Sequence, residues 1–479
     1  MPVHEPVPLA SAPSAQRACQ PIGAFPAPDQ FDPQLAAFLE QACEQLARWL
    51  GSAALRSPLP ALSVLPDVEL SAAGLDADAL LADLQLVMDG AYNPNHPGAL
   101  AHLDPPPLAA SIAAELVCAG LNNNLLAEEL SPSLSLLERR LCAWLAERLG
   151  LPTGSGGVAA SGGTLSNLMA LVTARRAAGL AIRGDAVVLA SADAHVSLAK
   201  AMAVMGLPPQ ALIPVAVCAD GRLDPAALEQ RLTGLHRRDG AVIAVVATAG
   251  TTVRGAVDPL GPIAALCRRH GVWLHVDGAI GAVFGLIERH RHRVAGLELA
   301  DSITVNPQKL LGITKTSSLL LLARPALLHN AFATGLPYME PSWGGGHGGE
   351  CGLQGSRPGE VLKLWLGLRQ LGLNGIAALL DGAIERRRQL ERCLACDGLE
   401  LRGGPLHLLA FTPARRSAAA ATSWSLDTRQ LLLAEGLMLS RPLHAGRHHL
   451  KAVLGNPHTR TFHLQKLAAL VHTSLRTLG

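Results

Sequence analysis

Lysine is scarce in this chain. Of the 40 basic residues among 479, only six are lysines: Lys200, Lys309, Lys315, Lys363, Lys451 and Lys466. Where arginine serves for ordinary positive charge, a lysine inside a motif has a chemical reason, because a desolvated amine can form an imine and a guanidinium cannot. Aromatic residues make up only 3% of the chain, which argues against base-stacking platforms. Charge of one sign is also missing. Forty Lys and Arg against 38 Asp and Glu leave a net +2, so no field points to nucleic acid or to an anionic membrane. No uninterrupted apolar run reaches the about 18 residues of a membrane span. The nine cysteines are scattered and form no recognisable disulfide framework. Cys393-Leu-Ala-Cys396 has no second ligand pair at zinc spacing, so no metal site is expected. The Pro-rich start lacks a basic segment followed by an apolar one, and the setting expected is cytoplasmic.

What the chain does have is apolar mass. Hydrophobic residues are 49% and charged residues 16%, a balance that excludes disorder and allows a large core. A helix is predicted from Pro33 to Gly51 with Asp32 as its cap, and others over about 108–121 and 132–149. Beyond these, strand-like runs at 186–190, 212–217, 241–248, 272–276, 302–305 and 317–322 alternate with helical periodicity. That pattern predicts an α/β fold with a mostly parallel sheet covered on both faces. Three parts are expected: an N-terminal tail and helical segment (1–106), a large α/β domain (107–370) and a small α+β domain (371–479).

Three motifs carry chemistry. Gly154-Ser-Gly-Gly-Val-Ala-Ala-Ser-Gly-Gly-Thr164 reads as a glycine-rich turn opening a helix, which is either an anion cradle or a plain turn with its cap. It is no Walker A loop, and it lacks the strand context of a dinucleotide fingerprint. Val272-Trp-Leu-His-Val-Asp277 is an apolar strand ending in a carboxylate among small residues, suited to a ligand or to capping a turn. Asp301-Ser-Ile-Thr-Val-Asn-Pro-Gln-Lys309 ends a strand in a turn that presents one of the six lysines. A phosphate cradle, a carboxylate and an imine-forming amine are what pyridoxal 5′-phosphate needs for its phosphate, its pyridine nitrogen and its aldehyde.

On these residues the chain resembles the group II pyridoxal-phosphate-dependent amino acid decarboxylases, the glutamate, aromatic amino acid and 2,4-diaminobutyrate enzymes. The matching stretches run in family order: Asn95-His-Pro97, Ser131-Pro-Ser133, Ser161-Gly-Gly-Thr-Leu-Ser-Asn167, Ala194-His195 and Ala247-Thr-Ala-Gly-Thr-Thr252. Asp258-Pro259, His275-Val-Asp277, Asn306-Pro-Gln-Lys309 and Gln354-Gly-Ser-Arg357 follow. The resemblance implies a fold-type I enzyme, aspartate aminotransferase-like, that releases CO2 from an L-amino acid to leave the amine. It places the chain in amino acid and carboxylic acid metabolism, as a lyase and a homodimer with its site near the subunit interface. It implies that Lys309 holds the cofactor as an internal aldimine and that Asp277 stabilises the pyridinium. By the same carry-over His195 stacks on the ring and takes part in proton transfer, and Gly163, Thr164 and Asn306 meet the phosphate, with Ser356 reaching it from the neighbouring subunit. Thr248 and Ala279 line the ring, and His96 and His102 approach the substrate. Gln308 stands where the family usually has histidine, which changes substrate contact and proton handling. Tyr338 lies where the family often carries a loop tyrosine that protonates Cα. Two alternatives stay open: another fold-type I reaction (an oxidative deaminating decarboxylase or a carbon–carbon lyase), and an inactive homologue with a binding role.

Overall fold

The computed structural model describes residue 23 and residues 25–61, 65–70, 72–237, 240–336 and 346–476. Contacts divide the chain into two compact units, Met1–Asn93 and Pro94–Gly479. In the first, α1 (Pro33–Gly51) starts where expected: Asp32 accepts the N–H groups of Gln34 and Leu35 at 2.9 and 3.0 Å, and Pro33 costs nothing at a position with no helical N–H partner. Helix α2 (Ala77–Asp89) is capped by Asp76 in the same way.

The second unit opens with α3 (Ala109–Leu121) and α4 (Pro132–Arg148). Seven strands follow: β1 (Gly156–Ala160), β2 (Val187–Ser191), β3 (Leu212–Val215), β4 (Val242–Thr248), β5 (Trp273–Asp277), β6 (Ser302–Val305) and β7 (Ser318–Leu322). Between them run α5 (Gly163–Ala177), α6 (Ser197–Val204), α7 (Pro225–His236), α8 (Leu260–His270) and the single turn α9 (Glu288–Arg291). The strands form one sheet in the order β1-β7-β6-β5-β4-β2-β3. Strands β2 to β6 pair in parallel, and β7 is antiparallel to both of its neighbours, β6 and β1. Alternate residues of β4 enter different apolar layers: Val245 and Ala247 face one, Ala244 and Val246 the other. Burial on both faces explains why these strands read as continuous apolar runs.

Strand β1 corrects the sequence reading of the first glycine-rich motif, which now has the strand it was expected to lack. Gly157 has a steric role there, since a Cβ on it would lie 2.0 Å from the carbonyl oxygen of Leu320 on β7. After α10 (Ala326–Phe332), the long helix α11 (Val361–Leu394) breaks at Gly372, whose φ of 56° and ψ of 178° are open to glycine. The rest is α+β. Strands β8 (Leu399–Gly403) and β9 (Leu408–Pro413), helix α12 (Ala418–Ala434), the short β10 (Leu443–His444) and β11 (Arg447–His448), β12 (Leu450–Val453) and α13 (Thr461–Arg476) follow in turn. Strands β12, β9 and β8 make an antiparallel sheet whose apolar core includes Phe411, Trp424 and Leu464.

Candidate active site

The carboxyl ends of parallel strands are where ligands sit in open α/β sheets. Here a cavity of about 230 Å³ opens there, lined by Gly163 and Thr164 of α5, His195, Thr248, Asp277, Ala279, Asn306, Gln308 and Lys309. Lys309 closes the turn Pro307–Lys309 directly after β6. Burial lowers the pKa of its amine, against a smaller upward pull from Asp277 and Asp104. A desolvated amine loses its proton more readily and becomes a nucleophile.

Asp277 ends β5 and is buried. Its Oδ2 accepts the Asn167 amide at 2.9 Å, and its Oδ1 accepts the N–H of Ala279 at 3.2 Å. His195 follows β2, and its Nδ1 accepts the N–H of Ser197 at 3.2 Å. Burial lowers its pKa, Asp277 opposes that, and Lys309 and Lys200 add to it. Thr248 is held by the buried carboxylate of Asp258, which accepts the N–H groups of Thr248 and Leu223, each at 2.7 Å.

Helix α5 begins after Gly162, which has a φ of 102°. A Cβ on Gly163 would come within 3.1 Å of the Asn306 amide, so a larger residue there would press on that side chain. In the amide orientation that satisfies both its ends, Asn306 donates to the carbonyl of Val305 and to Ser318 Oγ, and accepts from the N–H of Gly163 at 3.3 Å. The N-terminus of a 15-residue helix, with Thr164 beside it, is a ready anion site. One further detail fits a polar ligand: among the described residues, the buried Thr248 Oγ1 has no hydrogen-bond partner. The cavity thus offers an amine, a carboxylate, an imidazole and an anion cradle, which are the groups that pyridoxal phosphate requires.

Not every expected residue lines this cavity. His96 is buried elsewhere, its Nδ1 accepting the N–H of Gly98 at 2.9 Å, with Gly436 packed against its ring. His102 is exposed, and Lys451, Asp104 and Lys315 all act on its charge. Ser356 Oγ accepts the Asn124 amide at 3.1 Å within this chain. Tyr338 lies outside the described residues. Gln308 does line the cavity, with its Oε1 accepting the N–H of Ser317 at 2.6 Å.

Two residues escaped sequence reasoning. Asn167 was visible only as the last letter of a matching stretch. Lys451 lies on β12, is 7% exposed, and donates to the carbonyl of Thr252 at 3.3 Å, and Thr252 lines the cavity. Burial first, and then the charge of Lys309, push its pKa down to about 8. The scarcity of lysine that singled out position 309 marks position 451 equally.

The pyridoxal-dependent decarboxylase conserved domain matches residues 61–400 of this chain. The chain belongs to this family. L-2,4-diaminobutyrate decarboxylase of Rhizobium meliloti (strain 1021) is 34% identical over 412 residues, 84% of this chain and 82% of the relative. Cysteine sulfinic acid decarboxylase of Rattus norvegicus is 32% identical over 357 residues, 71% of each chain. Among solved structures, mouse CSAD in apo form superposes with a TM-score of 0.83 at 25% identity, covering 94% of this chain and 99% of that one. Oryza sativa TDC with PLP and tryptamine reaches 0.86 at 23% identity over 94% and 99% of the two chains, a likeness of fold. The group II decarboxylase is therefore a fold-type I, pyridoxal-phosphate-dependent carboxy-lyase acting on an amino acid. No described helix is long and apolar enough to cross a membrane.

Proposed function

We propose that this decarboxylase works at the cavity around Lys309 and takes a short L-diamino acid, with L-2,4-diaminobutyrate as its first candidate. One observation carries the placement: a desolvated amine, a buried carboxylate and an imidazole converge beside a helix N-terminus. Lys309 binds the cofactor aldehyde through its desolvated amine. Asp277 receives the ring N–H, His195 stacks on the ring, and Thr248 and Ala279 line it. Gly163, Thr164 and Asn306 hold the phosphate, and Ser356 reaches it from a second copy. Bound pyridoxal phosphate supplies the electron sink for the pair left at Cα as CO2 departs.

Lys451 orients the substrate carboxylate through its ammonium group. Asp104, already paired at Oδ2 with Lys315 at 3.0 Å and strong enough to act on Lys309, attracts the second amino group of the substrate. Gln308 presents a neutral amide whose oxygen is tied to Ser317, so it contacts substrate without titrating. Tyr338 returns the proton to Cα. A second reading, an acidic substrate such as cysteine sulfinate, is favoured by Lys451, which would then hold an anionic side chain.

Borohydride reduction of the holoenzyme followed by peptide mass spectrometry tests the centre. The cofactor mass is expected on the Lys309 peptide, and in Lys309→Ala both the mass and CO2 release should be lost. A labelled, active variant would overturn the placement. A panel of L-2,4-diaminobutyrate, cysteine sulfinate, glutamate and aromatic amino acids, compared by kcat/KM, decides the substrate. An aldehyde with ammonia in place of the amine would move the enzyme to oxidative deamination.

A homodimer in the cytoplasm completes the proposal. Leu116 and Val117 on α3 and Trp144 on α4 are 43%, 51% and 43% exposed, apolar surface that a second copy would cover. Eight cysteines of the described residues are unpaired, as a reducing compartment would keep them.

A further inference from the structure

Behind Asp277 lies a line of buried side chains that no step above uses. Asn167 on α5 is 1% exposed, and its amide nitrogen donates to Asp277 Oδ2 and to Ser197 Oγ, each at 2.9 Å. Its Oδ1 accepts the Thr304 hydroxyl at 2.7 Å and lies 3.1 Å from His275 Nε2. His275 is fully buried on β5, with Nδ1 2.8 Å from Ser302 Oγ. Ser302 Oγ in turn accepts Trp273 Nε1–H at 2.9 Å.

The protons in this line are fixed by elimination. A carboxylate only accepts, so the Asn167 nitrogen must face Asp277 and its oxygen must face His275. His275 must therefore carry its proton on Nε2. Trp273 only donates, which leaves the Ser302 hydroxyl proton available for Nδ1. Every partner is then satisfied, with His275 neutral, and burial pushes that imidazole down to about 4, where it stays neutral at working pH. A satisfied buried network holds one geometry, whereas a broken one leaves unpaired polar groups.

We propose that Asn167 and neutral His275 are positioning residues that hold the Asp277 carboxylate against the pyridine nitrogen of the cofactor. The inference rests on the reading that Asp277 meets that nitrogen. Neither residue touches the reacting atoms; both act through Asp277. Without the Asn167 donor, Asp277 Oδ2 loses the side-chain N–H that it accepts and the carboxylate is free to turn.

The test uses holoenzyme reconstituted with cofactor labelled with 15N in the ring, read by NMR, together with titration of apoenzyme with pyridoxal phosphate. Asn167→Ala and His275→Leu should move the ring-nitrogen shift toward that of neutral pyridine and raise the cofactor Kd about tenfold or more. His275→Gln, whose amide can donate to Asn167 and accept from Ser302, should restore both readouts to within about twofold of wild type. Unchanged shift and Kd in Asn167→Ala overturn the inference. Where a variant fails to fold, wild-type enzyme labelled with 15N-histidine decides: His275 must show a protonated Nε2 and a bare Nδ1, and the other tautomer or an imidazolium overturns the line. Asp277→Asn separates the two readings. If it leaves the ring shift unchanged, the partner of the nitrogen is misassigned. If it moves the shift while Asn167→Ala does not, the positioning role alone fails.

Discussion

At the scale of single residues, Lys451 has the most direct consequence for catalysis. The proposed anchoring of a substrate carboxylate needs its ammonium form, and burial together with Lys309 lowers its pKa to about 8. The charged form is present below that value and is lost as pH rises through it. The KM for substrate is therefore expected to climb above pH about 8 while kcat changes less. Lys451→Arg, whose guanidinium stays charged, should keep KM flat to higher pH. Initial-rate kinetics of both proteins across that range check this, and a KM in wild type that ignores pH counts against the anchor. The place of Lys309 and Asp277 in the cavity was legible because Asp277 ends an apolar strand and Lys309 closes the turn after one, each inside a motif. Lys451 was not, because β12 is a short strand in a part of the chain where the family resemblance fades. Asn167 escaped for a different reason: an asparagine within a helix has no pattern until its partners, brought together from three separate segments, surround it.

At the scale of elements, helix caps and buried strands were read well, as α1 with Asp32 and β6 show. What escaped was β1. Glycine weakens strand propensity, so Gly156-Gly157 reads as a turn; the close approach of β7 that demands glycine is a fact of pairing, invisible along the chain. Gly157→Ala places a methyl group against the Leu320 carbonyl and should cost about 3 kcal/mol or more, since backbone cannot yield as a side chain does. Urea denaturation measures the loss, and a midpoint equal to wild type would show that β1 can shift without penalty.

For the molecule as a whole, buried histidines set the response to acid. Burial pushes the pKa values of His275, His407 and His449 down to about 4, 3 and 4. An unfolded chain takes up these protons near pH 6.5, so its rings bind a proton about a hundredfold or more tightly than the buried ones. Stability from these groups is thus complete above pH about 6.5 and is lost as pH falls toward 4, at about 1.4 kcal/mol for each tenfold difference in proton affinity. Asp258 works the other way, because burial raises it to about 6: its cost is present above that value and relieved below. Three imidazoles outweigh one carboxyl, so urea midpoints measured from pH about 7 down to about 4.5 should fall. A flat profile would mean that the rings take up protons without unfolding. The sheet order has a consequence of another kind, for the order of synthesis. Strand β1 is made first, yet among the described residues its one partner in the sheet is β7, the last of the seven to be made. Until Leu322 has left the ribosome, β1 has no strand to pair with, while the first turn of α5 is already held to β5 and β6 through Asn167. A nascent chain ending before β7 therefore carries Lys309 and Asp277 while the glycine-rich strand that leads into α5 is still unpaired.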